Sequence, residues 1–188
     1  MNTEAMVLDI KKELRASMNG ILSRRMREAG LPFKLIFGVE LPRLQSIAGE
    51  FPRGAELSGK LWNQDIRETR LLAIMLMPPE AFTPDVASAW AEAMVSAEEA
   101  QIMAMKLMPH APHAKTTSMA WLERGKPLPC VCACLCLRHL LVRGTAIGSE
   151  ERHRIEENLK KLLPKANLHL RKAIRALEEK MKDEKINK

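Results

Sequence analysis

Apolar residues recur along this chain at intervals of three and four, the spacing that predicts amphipathic helices. A first helix is predicted over residues 4–18, where apolar side chains spaced by four share one face: Met6, Ile10, Leu14 and Met18. The last helix shows a similar stripe at i, i+4, i+7 and i+11: Leu170, Ile174, Leu177 and Met181. Turns rich in Gly or Pro separate such segments about every 12 to 20 residues.

This pattern predicts about ten or eleven short helices. Between the first and last helices, the predicted segments are 21–29, 43–51, 55–62, 65–77, one from Pro84, one from Ser96, 116–124, 130–143, and one capped by Ser149. Residues 31–41 (LPFKLIFGVEL) are the one run that a strand could use, but no partner run exists, so a packed loop is predicted. The fold class is therefore all-α.

Paired helices at this spacing favour an α-solenoid of HEAT-like helical repeats, with an irregular helical bundle as the alternative. The expected organisation is one domain over residues 1–180, followed by a frayed tail over residues 181–188. Residues 71–77 form an almost unbroken apolar run, so the helix that contains them is predicted to be buried among its neighbours.

Composition supports helices over sheet. Hydrophobic residues make up 46% of the 188, but aromatics are only 4% and Tyr is absent. The core must therefore be built from Leu, Ile, Ala and 12 Met, which suit helices. No apolar run approaches the ~20 residues of a membrane span, and the N-terminus does not show the order of a signal peptide. A cytoplasmic protein with no membrane partner is expected.

The four cysteines lie in one CxCxCxC run: Cys130, Cys132, Cys134 and Cys136. On a helix, the first and third share one side and the other two lie nearly opposite, so four thiolates cannot converge on one tetrahedral ion. We interpret them as small core residues between closely packed helices. A pair that faced outward would be open to oxidation.

Other catalytic and metal motifs are absent from the sequence. His110 and His113 form an HxxH pair in a proline-rich loop without nearby carboxylate ligands, which favours a solvated loop over a metal site. The chain has no glycine-rich phosphate loop and no GxSxG elbow. Neither a metal nor an organic cofactor is implied.

The cations are more informative, because the net charge is +7 and the pI about 9.4. Such a balance permits binding to nucleic acid. In a curved solenoid, alternate helices line the concave side, where several cations could form a track for phosphates. The predicted DNA-binding residues are Arg67 and Arg70, expected on the polar face of their helix, with Lys106, Lys115, Arg138, Arg171, Lys172 and Arg175. A further basic group near the start comprises Arg24, Arg25 and Arg27. The alternative is a scatter of solvated charges.

Three segments carry a family likeness. They are GVELPRLQSIA (residues 38–48), LWNQDIRETRLLAI (61–74) and RKAI (171–174). They resemble the GV..P.LR.IA entry, the LW....hE.R.LA.. helix and the late RKAI helix of the HEAT-like DNA alkylation-repair family, the bacterial alkylpurine DNA glycosylases of the D type. The middle segment is the most specific.

The resemblance implies a horseshoe of helical repeats whose basic concave face holds duplex DNA. It also implies cleavage of the glycosidic bond of N3- or N7-alkylated purines, whose positive charge already weakens that bond. In such enzymes a carboxylate near the sugar stabilises the oxocarbenium-like transition state. Trp side chains pack on the deoxyribose and backbone near the lesion.

The departures from the family fall on this chemistry. Where the family carries a WDxxD-like motif, after the helix that contains Trp90, this chain has AEEAQ (residues 97–101). The Trp is replaced by Ala97, the first acid is kept as Glu98, and the catalytic Asp is replaced by Gln101. A neutral amide cannot supply the same field to a developing cation. Glu98 lies one turn before Gln101, roughly on the same face, so it could substitute for the lost carboxylate; stabilisation of a helix N-terminus explains it equally well.

Two further positions depart from the family pattern. A Trp expected just after RKAI is replaced by Arg175-Ala176. The arginines expected at the start of the helix after Trp121 are replaced by residues 128–132 (LPCVC).

The leading hypothesis is a DNA-binding member of this family, with excision chemistry lost or altered, that holds duplex DNA, intact or damaged, through backbone contacts. Its candidate catalytic positions are Glu98 and Gln101. The first alternative is an active alkylbase DNA glycosylase with a rearranged site that uses Glu98. The second is a protein-interaction scaffold, because solenoids commonly present a groove to a protein partner.

Overall fold

The computed structural model describes the backbone of residues 2–186 and the side chains of residues 2–183. Within this range the chain forms α1 (Thr3–Ala16), α2 (Gly20–Glu28), α3 (Leu41–Glu50), α4 (Ala55–Trp62), α5 (Arg67–Leu76), α6 (Pro84–Ala93), α7 (Ala97–Lys106), α8 (Ala114–Arg124), α9 (Pro127–Val142), α10 (Ser149–Leu162) and α11 (Leu168–Ile186). One isolated bridge, Leu35 to Ile66, is the only β-type pairing between residues 2 and 186. The all-α prediction and the loop prediction for residues 31–41 are confirmed.

Several predicted helix boundaries are confirmed by their capping hydrogen bonds. The Thr83 hydroxyl accepts from the Val86 N–H at 3.3 Å and begins α6. The Ser96 hydroxyl accepts from the Glu99 N–H at 3.2 Å, and the Glu99 carboxylate accepts from the Ser96 N–H at 2.8 Å. This reciprocal pair is a capping box, which satisfies two backbone donors at the start of α7.

The predicted cap of α10 and the predicted start of α9 are wrong, and the predicted starts at residues 43, 65 and 116 each differ by two residues from the observed ones. The N-cap of α10 is Gly148, and Ser149 is its first helical residue. The Gly148 N–H is instead satisfied by the carboxylate of Glu151 at 3.0 Å. Helix α9 begins at Pro127 rather than Cys130, because proline at a first helical position loses no hydrogen bond.

The chain divides into two compact units, Met1–Phe82 and Thr83–Lys188. The single domain over residues 1–180 stays a prediction. The predicted tail begins inside α11, where Met181 is buried. The last two residues of that tail, 187 and 188, lie outside the described residues, and its fraying also stays a prediction.

In the first unit, α5 is the central helix. It packs against α3 and α4, and α1 packs against α4. Every residue of α5 is buried, so the prediction that this helix lies inside a stack of others is confirmed.

In the second unit the central helix is α9, which packs against α6, α7, α8 and α11. All four cysteine side chains are buried on it, so the prediction of small core residues is confirmed and the possibility of an outward pair is wrong. Neighbouring helices cover both sides of α9, which leaves one stripe with partial or full exposure: Leu135, Arg138, His139 and Val142. Among the described helices, none combines the length and the apolar character that a membrane crossing requires.

Candidate nucleic-acid interface

The most specific signature segment forms a buried hydrogen-bonded cluster in the first unit. The Glu68 carboxylate is 0% exposed and accepts three backbone N–H groups, from Phe37 (3.0 Å), Gly38 (2.9 Å) and Val39 (3.3 Å). The Arg67 guanidinium donates to the Val39 carbonyl at 3.0 Å and to Glu68 at 2.8 Å. A buried carboxylate is tolerated when paired and fully hydrogen-bonded in this way. The cluster therefore fixes the loop before α3 onto the start of α5.

The same loop is also attached to α2. Gly38 has φ +76°, and a Cβ there would lie 2.3 Å from the Asn19 carbonyl oxygen and 2.6 Å from the Ser23 nitrogen, so only glycine fits. The Phe37 carbonyl accepts from the Asn19 N–H at 3.0 Å, and the Ile36 carbonyl accepts from the Ser23 hydroxyl at 2.7 Å. The first two signature segments thus build one joint that holds α2.

The prediction that Arg67 and Arg70 lie on a polar face of α5 is wrong. Arg67 is 2% exposed because its guanidinium neutralises Glu68. Arg70 is also buried, and its guanidinium lies 4.0 Å from the centre of the Trp62 ring, a cation–π contact. Their burial argues against direct contacts between these two arginines and phosphates.

Most other predicted DNA-binding cations lie at the surface of the second unit. Five are exposed and form no ion pair with any described residue: Lys106, Arg138, Arg171, Lys172 and Arg175. The last three share one side of α11, opposite the buried Ala173 and Ile174. Arg171 also donates to the Ala166 carbonyl at 3.3 Å. We define these five residues as the cation set.

Lys115 differs from the cation set because a carboxylate already neutralises it. Its ammonium lies 2.7 Å from Glu151, and both side chains are about one-third exposed. This contact lowers the pKa of Glu151, with a further contribution from the Gly148 N–H. A phosphate would have to displace Glu151 to bind Lys115.

The candidate catalytic positions lie on α7. Half-buried Glu98 and exposed Gln101 share an exposed stripe with Met105, as their spacing predicts. Glu99, the other acid of this turn, is buried in the capping box and also accepts from the Val95 N–H at 2.8 Å. The exposed stripe of α7 therefore carries an amide at the position where the resemblance places the catalytic carboxylate.

None of the three tryptophans, Trp62, Trp90 and Trp121, is exposed. The two places where the resemblance expects sugar-contacting indoles are occupied by the half-buried Ala97 and by the pair Arg175-Ala176. The alanine side chains end at Cβ and the exposed Arg175 has no aromatic ring, so no indole is present there to cover a deoxyribose. Residues 128–132, which stand where the resemblance expects arginines, lie at the start of α9 and are apolar and largely buried.

The cysteine and histidine motifs supply no additional site. Burial raises the pKa of the Cys130 and Cys136 thiols to about 12, so both are protonated and unreactive at neutral pH. Nδ1 of His113 lies 2.8 Å from the Thr117 hydroxyl, and Nδ1 of His110 lies 3.4 Å from the Arg143 guanidinium. Within the described residues, no group of three side chains could hold a metal ion.

Two structural features were not predicted from the sequence. The first is the role of Glu68. The loop at residues 37–39 lies outside any predicted helix, so its backbone N–H groups need another acceptor, and this need could have indicated a buried carboxylate. The second is the surface of α2, where Arg24 and Arg25 line an open depression together with the exposed side chains of Met18 and Ile21. The run of three arginines was visible, but its apolar neighbours gave no separate signal.

Comparison with known proteins agrees with the fold and the signature segments. The chain aligns over 96% of its length, and over 75% of the other chain, with a solved structure at a TM-score of 0.80 and 16% identity. That structure is described as "a new family of proteins related to the HEAT-like repeat DNA glycosylases with affinity for branched DNA structures". The likeness confirms the HEAT-like helical-repeat fold. Comparison with curated proteins gives no match.

The family comparison covers most of the chain. The model described as "DNA alkylation repair enzyme" matches residues 10–177, a range that includes the Glu68 cluster, the α7 stripe and the cation set. Because the match extends over both units, it is independent of any single motif. The chain therefore belongs to the DNA alkylation repair enzyme family.

Proposed function

We propose that this protein binds branched and duplex DNA through contacts to the sugar–phosphate backbone, and that its base-excision chemistry is lost or altered. The observation that carries the proposal is the cation set: five exposed positive side chains in one unit that no described carboxylate neutralises. Cations of this kind release counterions from DNA when they contact phosphates, and this release drives sequence-independent binding.

The substituted α7 stripe supports the second part of the proposal. Excision of an alkylated base requires stabilisation of positive charge on the sugar, and a carboxylate supplies that field while an amide does not. Gln101 is an amide, and Glu99 is committed to the capping box. Ala97 and the pair Arg175-Ala176 also offer no aromatic surface to hold the sugar.

Branched DNA is proposed as a substrate class because the structural relative is described as having affinity for it. Backbone contacts position a protein on nucleic acid without reading bases. A protein that contacts only phosphates can therefore distinguish DNA forms by the directions in which their strands run. The paths of the strands differ between a junction and a linear duplex.

A second candidate, excision with a rearranged site, is favoured by one observation: Glu98 lies on the same exposed stripe as Gln101. In that case Glu98→Gln abolishes the release of alkylated bases from methylated duplex DNA. Our proposal instead predicts that the wild-type protein and the Glu98→Gln variant release none above background. Release by the wild-type protein that the substitution removes would establish the second candidate.

The test of DNA binding uses a charge-matched pair of variants. Arg138→Ala, Lys172→Ala and Arg175→Ala are combined in one protein. Lys160→Ala, Lys161→Ala and Lys165→Ala, which remove three exposed cations outside the cation set, are combined in the control.

Each lost phosphate contact lowers the slope of log affinity against log salt by about 1. We expect the first variant to lose about 3 from the slope and the control to lose less than about 1. Equal losses in both would show that only net charge matters. A protein that binds no DNA at low salt would point to a protein-interaction scaffold.

A further inference from the structure

We infer that helix α2 and the turn before it contact the branch point of DNA: Met18 and Ile21 cover exposed base faces, and Arg24 and Arg25 hold the flanking phosphates. This inference rests on the proposed DNA binding but concerns a different surface, in the first unit, from the cation set. It assigns a function to residues that the family resemblance leaves without one.

The exposure of the apolar side chains is the first observation. Ile21 is 71% exposed and Met18 is 61% exposed. Single exposed apolar side chains are ordinary on protein surfaces. These two lie together with Arg24, Arg25 and one acid, Glu28, along one open depression of about 900 Å³. The depression therefore places two apolar side chains beside two guanidinium groups, which outnumber its single carboxylate.

The positive charge of this surface indicates that its ligand is a nucleic acid. The segment from residue 15 to residue 28 contains four arginines and one glutamate. No described residue forms an ion pair with Arg24 or Arg25, and both are exposed. A smaller depression shares Arg24 and Glu28 with the first and adds Arg27 to its lining. An apolar protein partner would not require this density of positive charge, whereas a nucleic acid would.

The apolar part then selects the form of the nucleic acid. Inside a linear duplex, base faces are stacked on each other and inaccessible to side chains. At a branch point the stack is interrupted, and a base-pair face can be covered without the free-energy cost of unstacking. Apolar side chains inserted at base steps behave in this way in proteins that bend DNA, where the unstacking must be overcome.

Hydrogen bonds hold the backbone of α2 in place, and a backbone already held in position reduces the entropy lost on binding. The Asn19 side chain accepts from the Leu22 N–H at 3.0 Å and begins the helix. Ser23 is buried and donates to the Ile36 carbonyl. The loop that receives these bonds is held in turn by Glu68. The signature cluster of α5 therefore fixes the position of α2.

The test is the double variant Met18→Ser, Ile21→Ser, compared with Leu8→Ser as control. Leu8 is 60% exposed on α1 and lies outside the depression. We expect the double variant to lose about tenfold in affinity for a four-way junction, the size of one lost base-stacking contact. Its affinity for a linear duplex should change less than about twofold, and the control should match wild type on both.

A fluorescent base analogue at the branch point gives an independent readout. Its emission should change on binding of the wild-type protein and of Leu8→Ser but not on binding of the double variant. Far-UV circular dichroism and thermal melting establish that the variants fold, as the exposure of the replaced side chains predicts.

Four results would overturn the inference. If the double variant keeps the full preference for the junction, α2 does not contact the branch point, although the proposed DNA binding stands. If junction and linear affinities fall equally, the surface is a general DNA contact. If the wild-type protein forms a dimer that the double variant cannot form, the apolar surface is an interface between copies. Absence of wild-type binding to any DNA would overturn the proposed function as well.

Discussion

Helices α5 and α7 each carry a glutamate in the first turn that accepts backbone N–H groups, but the two glutamates hold different parts of the chain. Glu68 accepts from a loop about thirty residues earlier in the chain and is paired with a buried arginine. Glu99 accepts from Val95 and Ser96, within its own helix start. The first joins distant segments of a unit, and the second completes a local cap.

Buried residues of α5 hold the fold of the first unit, whereas exposed residues of α7 are the candidates for chemistry. The residues of α5 that carry the family likeness are inside the protein and hold the loop and α2 in place. Gln101 of α7, which the resemblance places where the family has a catalytic Asp, lies on an exposed stripe. The family match over residues 10–177 covers both helices, so membership does not depend on the residue at this one position.

The largest expected effect comes from Glu68→Ala. The substitution leaves the Arg67 guanidinium buried without its carboxylate and leaves three loop N–H groups without an acceptor. Loss of one partner of a buried ion pair costs about 3–5 kcal/mol. Urea unfolding at pH 7 measures the change. A loss below about 1 kcal/mol in the free energy of unfolding, which is what removal of a local helix cap costs, would contradict the proposed difference between the two glutamates.

The next effect comes from Gly38→Ala. A methyl group here would meet backbone atoms of α2 at 2.3 and 2.6 Å, and the residue needs a positive φ. We expect a loss well above about 1 kcal/mol in the free energy of unfolding.

Gly49→Ala is its control, because Gly49 lies in α3 with nothing within 4 Å of the added atom. The same substitution there should stabilise the protein by up to about 1 kcal/mol. Similar losses in the free energy of unfolding at both glycines would contradict the close packing of the loop against α2.

Ser96→Ala tests whether the capping box of α7 acts only locally. It removes the hydroxyl that caps α7 and should lower the free energy of unfolding by about 1 kcal/mol. Since the capping box is local, hydrogen exchange should accelerate in the first turn of α7 and not in the loop at residues 36–39. Acceleration in both places would show that the two regions are coupled.

The smallest effect concerns the pair of Lys115 and Glu151. The pKa of Glu151 is lowered in the folded protein, chiefly by Lys115. A lowered folded-state pKa means that the contribution to stability is present above the unfolded pKa and is lost as pH falls through the folded pKa. Lys115→Ala should therefore reduce stability at pH 7 by less than about 1 kcal/mol. Below the folded pKa of Glu151, the variant and wild type should converge. A difference that grew as pH fell would contradict this sign.

Much of the fold could be predicted from the sequence because its signals are local. Periodicity located the helices, and the starts of α6 near Pro84 and of α7 at Ser96 followed from neighbouring residues alone. The buried α5 followed from an apolar run. The start of α10 was assigned one residue late, because Gly148 has no side chain to mark a cap and the signal lay in Glu151.

The candidate site was predicted less completely because it depends on contacts between distant residues. Arg67 and Arg70 carry charge, which at the level of sequence indicates solvent. The buried carboxylate and the indole that accommodate them are visible only after folding. The substitutions at Ala97 and Gln101 are what the family resemblance implies, and a resemblance gives residue identity but not exposure. For α2, sequence showed the arginines, and only the structure showed Met18 and Ile21 beside them.

The most direct test of the account is the affinity of the wild-type protein for a four-way junction and for a linear duplex of the same base composition, measured over a salt series. We predict a steep fall in affinity with salt for both forms, with a slope of about −4 or steeper, and tighter binding to the junction at every salt concentration. Binding that is absent at low salt, or that does not change with salt, would contradict the account.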